Sequence, residues 1–168
     1  LPGPARVTAT AEPRTVADFL ANVAWHAQRG PQSAIATGGA RARRYARGYS
    51  PIAGFADTVR PDFDALAPHV APGEALYCGG WNGPVPDGWT VEFDSTMFQM
   101  VWDGGMPDAD PSFAPVALGA ADAQAMVELA DLTHPGPFGP RTVEMGRYYG
   151  VVEDGRLVAM AGERMHAG

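Results

Sequence analysis

One short segment near the carboxyl end of this 168-residue chain constrains its fold most strongly. The dipeptide Asp154-Gly155 lies between two apolar runs, residues 148–152 and 157–160. An Asp-Gly pair between β-branched and aromatic stretches is the strongest local signal for a two-residue type I′ β-hairpin. Because both faces of the hairpin are apolar, we expect a sheet that is covered on both sides. The turn predicts the pairs Glu153–Arg156, Val152–Leu157, Val151–Val158 and Tyr149–Met160.

The rest of the chain predicts alternating helices and strands, that is, an α/β protein. Apolar residues from Val16 to Ala27 recur at helical spacing until Gly30-Pro31 ends the helix. Further helices are predicted over residues 62–69 and 120–132, and strands over residues 34–37, 42–45, 74–78, 89–102 and 115–118.

Residues 103–115 are the best candidate for a linker between two halves, because they carry two glycines, three prolines and three aspartates. We therefore place a boundary near residue 105, between an amino-terminal α/β half (1–104) and a second unit (105–168). Both halves share a rough helix-then-strands order, so the first could be a degenerate copy of the second.

Charge and composition limit the partners. A net charge of −7 argues against nucleic acid as the main partner, since that affinity depends on a basic surface. The Arg41–Arg47 run could still hold a phosphate or RNA, but a strand face that pairs with acidic loops is the favoured interpretation. The four histidines lack metal-ligand spacing, which predicts no metal site.

The single cysteine, Cys78, cannot form an internal disulfide, and we read it as a small buried residue in preference to a nucleophile. No apolar leader or ~20-residue apolar span is present, which predicts a cytoplasmic protein with no membrane partner. All basic residues are arginine, a composition typical of a high-GC bacterial genome.

Two motifs in the second half resemble the GNAT superfamily of acyl-CoA-dependent N-acetyltransferases. They are the loop His134-Pro-Gly-Pro-Phe-Gly-Pro-Arg-Thr142 and the strand Gly155-Arg-Leu-Val-Ala-Met-Ala-Gly-Glu-Arg164. Trp25-His26, Gly30-Pro31, the run from Arg41 to Tyr45 and Ser50-Pro51 extend the resemblance more loosely into the first half. It implies a mixed central sheet with flanking helices, a partial GNAT-like fold preceded by a smaller α/β half.

The activity that the resemblance implies is acetyl transfer from acetyl-CoA to an amine of a small molecule, peptide or protein. The diagnostic Gln/Arg-x-x-Gly-x-Gly/Ala turn that binds the CoA pyrophosphate is not among these residues, so no catalytic or cofactor-binding residue is carried over. We expect the physiological polypeptide to continue beyond Gly168. The alternative is a non-catalytic binding or interaction module that retains only part of the fold.

The resemblance places four residues on the acceptor side, Phe138, Arg141, Tyr148 and Glu163. Three of them also have a purely structural interpretation: a loop anchor for Phe138, strand packing for Tyr148, and for Glu163 a salt bridge with Arg147 or Arg164. The predicted partner is a small-molecule or peptide amine. A homodimer would cover the outer edge of the strand 157–165, where apolar residues carry backbone groups that need a partner.

Overall fold

The computed structural model describes residues 16–102, 104–106, 108, 110 and 114–167. Two small sheets are flanked by short helices, with strand orders β1-β2-β3-β4 and β5-β6-β7. This arrangement confirms the predicted α/β class. The first half comprises α1 (Val16–Ala21), α2 (Val23–Arg29), β1 (Ala36–Gly38), β2 (Ala42–Tyr45), β3 (Ile52–Phe55), α3 (Phe63–Leu66) and β4 (Tyr77–Cys78). The second comprises β5 (Val116–Leu118), α4 (Ala123–Thr133), β6 (Tyr148–Glu153) and β7 (Arg156–Gly162).

The first predicted helix is broken into two at Asn22. The Asn22 side-chain amide donates to the carbonyl of Phe55 at 2.7 Å, at the end of β3. An asparagine side chain that bonds to backbone elsewhere competes with helix continuation. The second piece, α2, then packs closely on β3, where a Cβ at Gly54 would lie 2.7 Å from the backbone nitrogen of Trp25. Gly54 therefore fixes the spacing between helix and sheet.

The strand predicted over residues 89–102 is wrong, because the structure shows no ladder there. These residues include exposed apolar side chains such as Phe98, which is 90% exposed. Alternating apolar residues favour an extended backbone, but a strand also needs a partner backbone. No strand among the described residues pairs with this segment.

The hairpin turn at Asp154-Gly155 is confirmed. Both residues have positive φ, 48° and 76°, as a type I′ turn requires. Glu153 pairs with Arg156 and Val152 with Leu157, as predicted, but a bulge between Val151 and Val152 shifts the register beyond them. The predicted pairs Val151–Val158 and Tyr149–Met160 are wrong, because Val151 lies opposite Ala159 and Gly150 opposite Met160.

Only one face of the second sheet is covered by described residues. Met126 of α4 packs with Tyr148, Leu157 and Met160 on that face. On the opposite face Tyr149 is exposed, as are Ala117, Ala159 and Ala161, which share that face in the register. The prediction that both faces are covered is therefore wrong for the part of the chain that the structure describes, in which β7 is also an edge strand.

A buried glutamine connects the two halves. The Gln32 Nε2 donates to the carbonyl of Met145 at 2.8 Å and to that of Arg164 at 3.0 Å. Its Oε1 accepts from the Tyr45 hydroxyl at 2.6 Å. Burial raises the pKa of Tyr45, so this phenol stays protonated and acts as a donor. Within the described residues, no helix is both long and apolar enough to cross a membrane.

Candidate acceptor-side site

The Pro-rich loop before β6 is fastened to the first half. The backbone N–H of Arg141 donates to the carbonyl of Gly48 at 2.8 Å. The buried Thr142 hydroxyl accepts from the N–H of Gly139 at 2.7 Å and shares a 3.2 Å hydrogen bond with the Ser50 hydroxyl. These bonds position the loop over the end of the second sheet.

Phe138 and Tyr148 lie together in the core of the second half. Their rings meet edge to face with centroids 6.1 Å apart, and both pack with Met126 and Val143. Tyr148 is 6% exposed, so its ring is core. Phe138 therefore anchors the loop to the core.

Arg141 points instead to the first half. Its guanidinium lies 4.3 Å from the centroid of the Tyr49 ring and 2.6 Å from a carboxylate oxygen of Glu144. The hydrogen bond from Arg141 lowers the pKa of Glu144, and burial followed by the charge of Glu144 raises the pKa of Tyr49. No hydrogen bond or ion pair joins Arg141 to the other three predicted site residues, all of which the structure describes.

Glu163 lies just beyond β7, where its N–H donates to the carbonyl of Arg147 at 2.9 Å. Its carboxylate is 42% exposed and lies 3.7 Å from His166 Nδ1. The expected salt bridge with Arg147 or Arg164 is absent from these described residues. The Glu163 carboxylate is therefore accessible to solvent at the end of the second sheet.

Sequence reasoning missed a group of buried polar atoms beside Tyr148. The Tyr148 hydroxyl and Arg164 Nε are buried and meet no hydrogen-bond partner among the described residues. Burial raises the pKa of Tyr148, and the nearby Arg164 charge opposes that rise. Buried polar groups are normally satisfied, so these atoms can receive a polar ligand or water. The sequence carried no signal for this pair, because the predicted register placed Tyr148 opposite Ala161 and the structure places it opposite Gly162.

The remaining candidates from the sequence are Cys78, a metal site and the arginine run from Arg41 to Arg47. Burial raises the pKa of Cys78 to about 11, which makes it a poor nucleophile. No cluster of three metal-ligating side chains occurs among the described residues. The interpretation of the arginine run as paired is confirmed for Arg41 with Asp62, and for Arg44 and Arg47 with Glu74. Arg44 is buried, however, so this strand face is not fully solvated.

Comparison with known proteins identifies one informative similarity. No protein-family model matches the sequence, and no curated protein matches it significantly. A solved structure from Novosphingobium aromaticivorans DSM 12444, named "Putative Acetyltransferase from the GNAT family", matches with 28% identity and a TM-score of 0.60. The match covers 88% of this chain and 65% of that protein. The chain therefore has a GNAT-like α/β fold and resembles this acetyltransferase superfamily over most of its length.

Proposed function

We propose that this chain is the acceptor-side portion of an N-acetyltransferase that moves an acetyl group from acetyl-CoA to an amine. The observation that carries the proposal is the similarity to the Novosphingobium protein over 88% of the chain. The amine would belong to a small molecule, peptide or protein. The Pro-rich loop that Phe138 anchors to the core and the exposed carboxylate of Glu163 support an acceptor-binding role for this part of the fold.

The residues of this chain do not fit the donor. The sequence contains no Gln/Arg-x-x-Gly-x-Gly/Ala turn, so we assign none of its residues to the CoA pyrophosphate. What these residues can supply is position, because an amine must be held close to its reaction partner in the correct orientation. Tyr148 and Arg164 would offer buried polar atoms to the acceptor, and Glu163 would attract its positive charge.

A second candidate is a non-catalytic interaction module. The uncovered sheet face, which exposes Tyr149, Ala117, Ala159 and Ala161 and borders the edge strand β7, favours this interpretation. Contiguous exposed apolar surface is a feature of interaction sites.

The two candidates are separated by an acetylation assay on the full product of the gene that encodes this chain. The protein is incubated with acetyl-CoA and a panel of polyamines, amino acids and peptides, and the released CoA thiol is measured. We expect amine-dependent CoA release. The absence of release with every amine, together with no saturable acetyl-CoA binding, would favour the interaction module.

Substitution of Glu163 tests the acceptor side directly. We expect Glu163→Gln to lower turnover by about tenfold with little change in melting temperature, because the side chain is exposed and attracts the cationic acceptor. Glu153→Gln, which removes an exposed carboxylate at the opposite end of the hairpin, is the matched control. Equal turnover in both variants would make Glu163 an ordinary surface residue.

A further inference from the structure

A cavity lies in the first half, between α2 and the turn after β1. It has a volume of about 330 Å³ and is lined by Trp25, Arg29, Gly38, Gly39, Ala40 and Arg43. This volume is at the small end of the range for ligand pockets. The lining contains two guanidinium groups and no carboxylate.

Glycines open the space beside Arg43. In the sheet, Arg43 pairs with Gly38 on β1 and with Gly54 on β3. Directly opposite residues of neighbouring strands project to the same face, and this face is the one that α2 covers at Gly54. Arg43 thus has no side chain on either lateral neighbour, and a Cβ at Gly39 would meet nothing within 4 Å.

The charge of this cavity is uncompensated within the described residues. Arg41, Arg44, Arg47, Arg60 and Arg141 each have a carboxylate partner. Arg29 and Arg43 have none there, and the buried Nε of Arg43 also lacks a hydrogen-bond acceptor. Arg147, Arg156 and Arg164 also have no carboxylate partner among the described residues, but Arg29 and Arg43 line one cavity together. A buried guanidinium donor without an acceptor is costly.

We propose that this cavity binds the phosphate or carboxylate group of a small molecule, with Arg29 and Arg43 as its ligands. Guanidinium groups suit both oxyanions, because their N–H donors match two oxygens at once. The anion would supply the acceptor that Arg43 Nε lacks, and the indole of Trp25 would form the apolar wall. This site lies in the first half and involves none of the acceptor-side residues.

Isothermal titration at low ionic strength, with inorganic phosphate and benzoate as separate probes, tests the proposal. We expect saturable binding of at least one probe, and the stronger probe identifies the group. Arg43→Gln and Arg29→Gln should each weaken it by about tenfold or more, as expected for loss of a charged hydrogen bond. Arg41→Gln, which removes an exposed arginine of the same strand region, should leave the affinity unchanged.

Arg29 is exposed, so its variant tests the site even if Arg43→Gln does not fold. The proposal would be overturned if neither probe bound saturably at concentrations up to about 10 mM, because a specific small-ligand site has a lower dissociation constant than that. Equal affinities of the Arg29→Gln and Arg41→Gln variants would overturn it as well, because binding would then depend only on net charge. Neither result depends on acetyl transfer.

Discussion

Gln32 provides the sharpest test of how the two halves are held together. One side chain makes three hydrogen bonds, two of them buried, to the Tyr45 hydroxyl and the Met145 carbonyl, and one partly buried, to the Arg164 carbonyl. Met145 precedes β6 and Arg164 follows β7, so the amide ties both ends of the hairpin to the first half. Replacement by leucine keeps the volume and removes every one of these bonds.

The expected cost follows from the partners that are left behind. A buried polar group that loses its partner costs roughly 1–3 kcal/mol. Three partners lose a bond, and leucine regains part of the loss through apolar burial, which leaves a net cost of about 3 kcal/mol. That is a large fraction of a typical unfolding free energy of roughly 5–15 kcal/mol.

Urea unfolding, followed by circular dichroism, measures this cost, and Tyr45→Phe provides the control. Tyr45→Phe alone should cost about 1–2 kcal/mol, because it leaves Gln32 Oε1 unpaired. In the Gln32→Leu background the same change should cost much less, since its partner is already gone. A Gln32→Leu cost below about 1 kcal/mol, or equal Tyr45→Phe costs in both backgrounds, would refute the network.

Three further outcomes follow from local geometry. Gly155→Ala should destabilise the protein by about 1 kcal/mol or more, because Gly155 has a φ of 76°. Gly79→Ala is the control, since Gly79 lies at an open position without positive φ and its replacement should not destabilise. Equal melting temperatures of the two variants would contradict this prediction. A hydrogen bond from Arg44 lowers the pKa of Glu74 from its ordinary value of 4.5 to about 2, so the stabilisation by the Glu74 carboxylate is complete above pH 4.5 and is lost as the pH falls towards 2. Glu74→Gln should therefore be destabilising at pH 7 and nearly neutral at pH 2, and melts that differ equally at both pH values would show that the carboxylate is not the stabilising group. Cys78 should react slowly with iodoacetamide at pH 8, because its pKa is about 11, and labelling as fast as that of free cysteine would contradict its burial.

The sequence could predict those features of the fold that depend on neighbouring residues alone. The turn at Asp154-Gly155 was predictable because only residues that tolerate positive φ form a type I′ turn. The bulge beside Val152 was not, since nothing in the dipeptide says where an extra residue enters the ladder. The acceptor-side residues came from resemblance, and their roles stay predictions.

Polar contacts between residues far apart in the chain were the hardest feature to predict from the sequence. Gln32 lies 113 residues from Met145 and 132 from Arg164, and no pattern in the sequence links them. The carboxylate that pairs with Arg44 and Arg47 was likewise identifiable only as an acidic loop residue, and the structure shows it to be Glu74. The composition indicated that arginines would pair with carboxylates, but it did not indicate which arginines would have no carboxylate partner.

The segment 89–102 shows why this limit is physical. Alternation of apolar and polar residues states which side chains share a face of an extended chain. The alternation does not indicate which neighbouring backbone will form the ladder hydrogen bonds, and a strand exists only where such a backbone is present. The same condition applies to β7, whose outer edge was expected to carry backbone groups that need a partner and which is an edge strand among the described residues. Side-chain periodicity encodes burial, whereas the position of a strand in a sheet depends on partners that periodicity cannot specify.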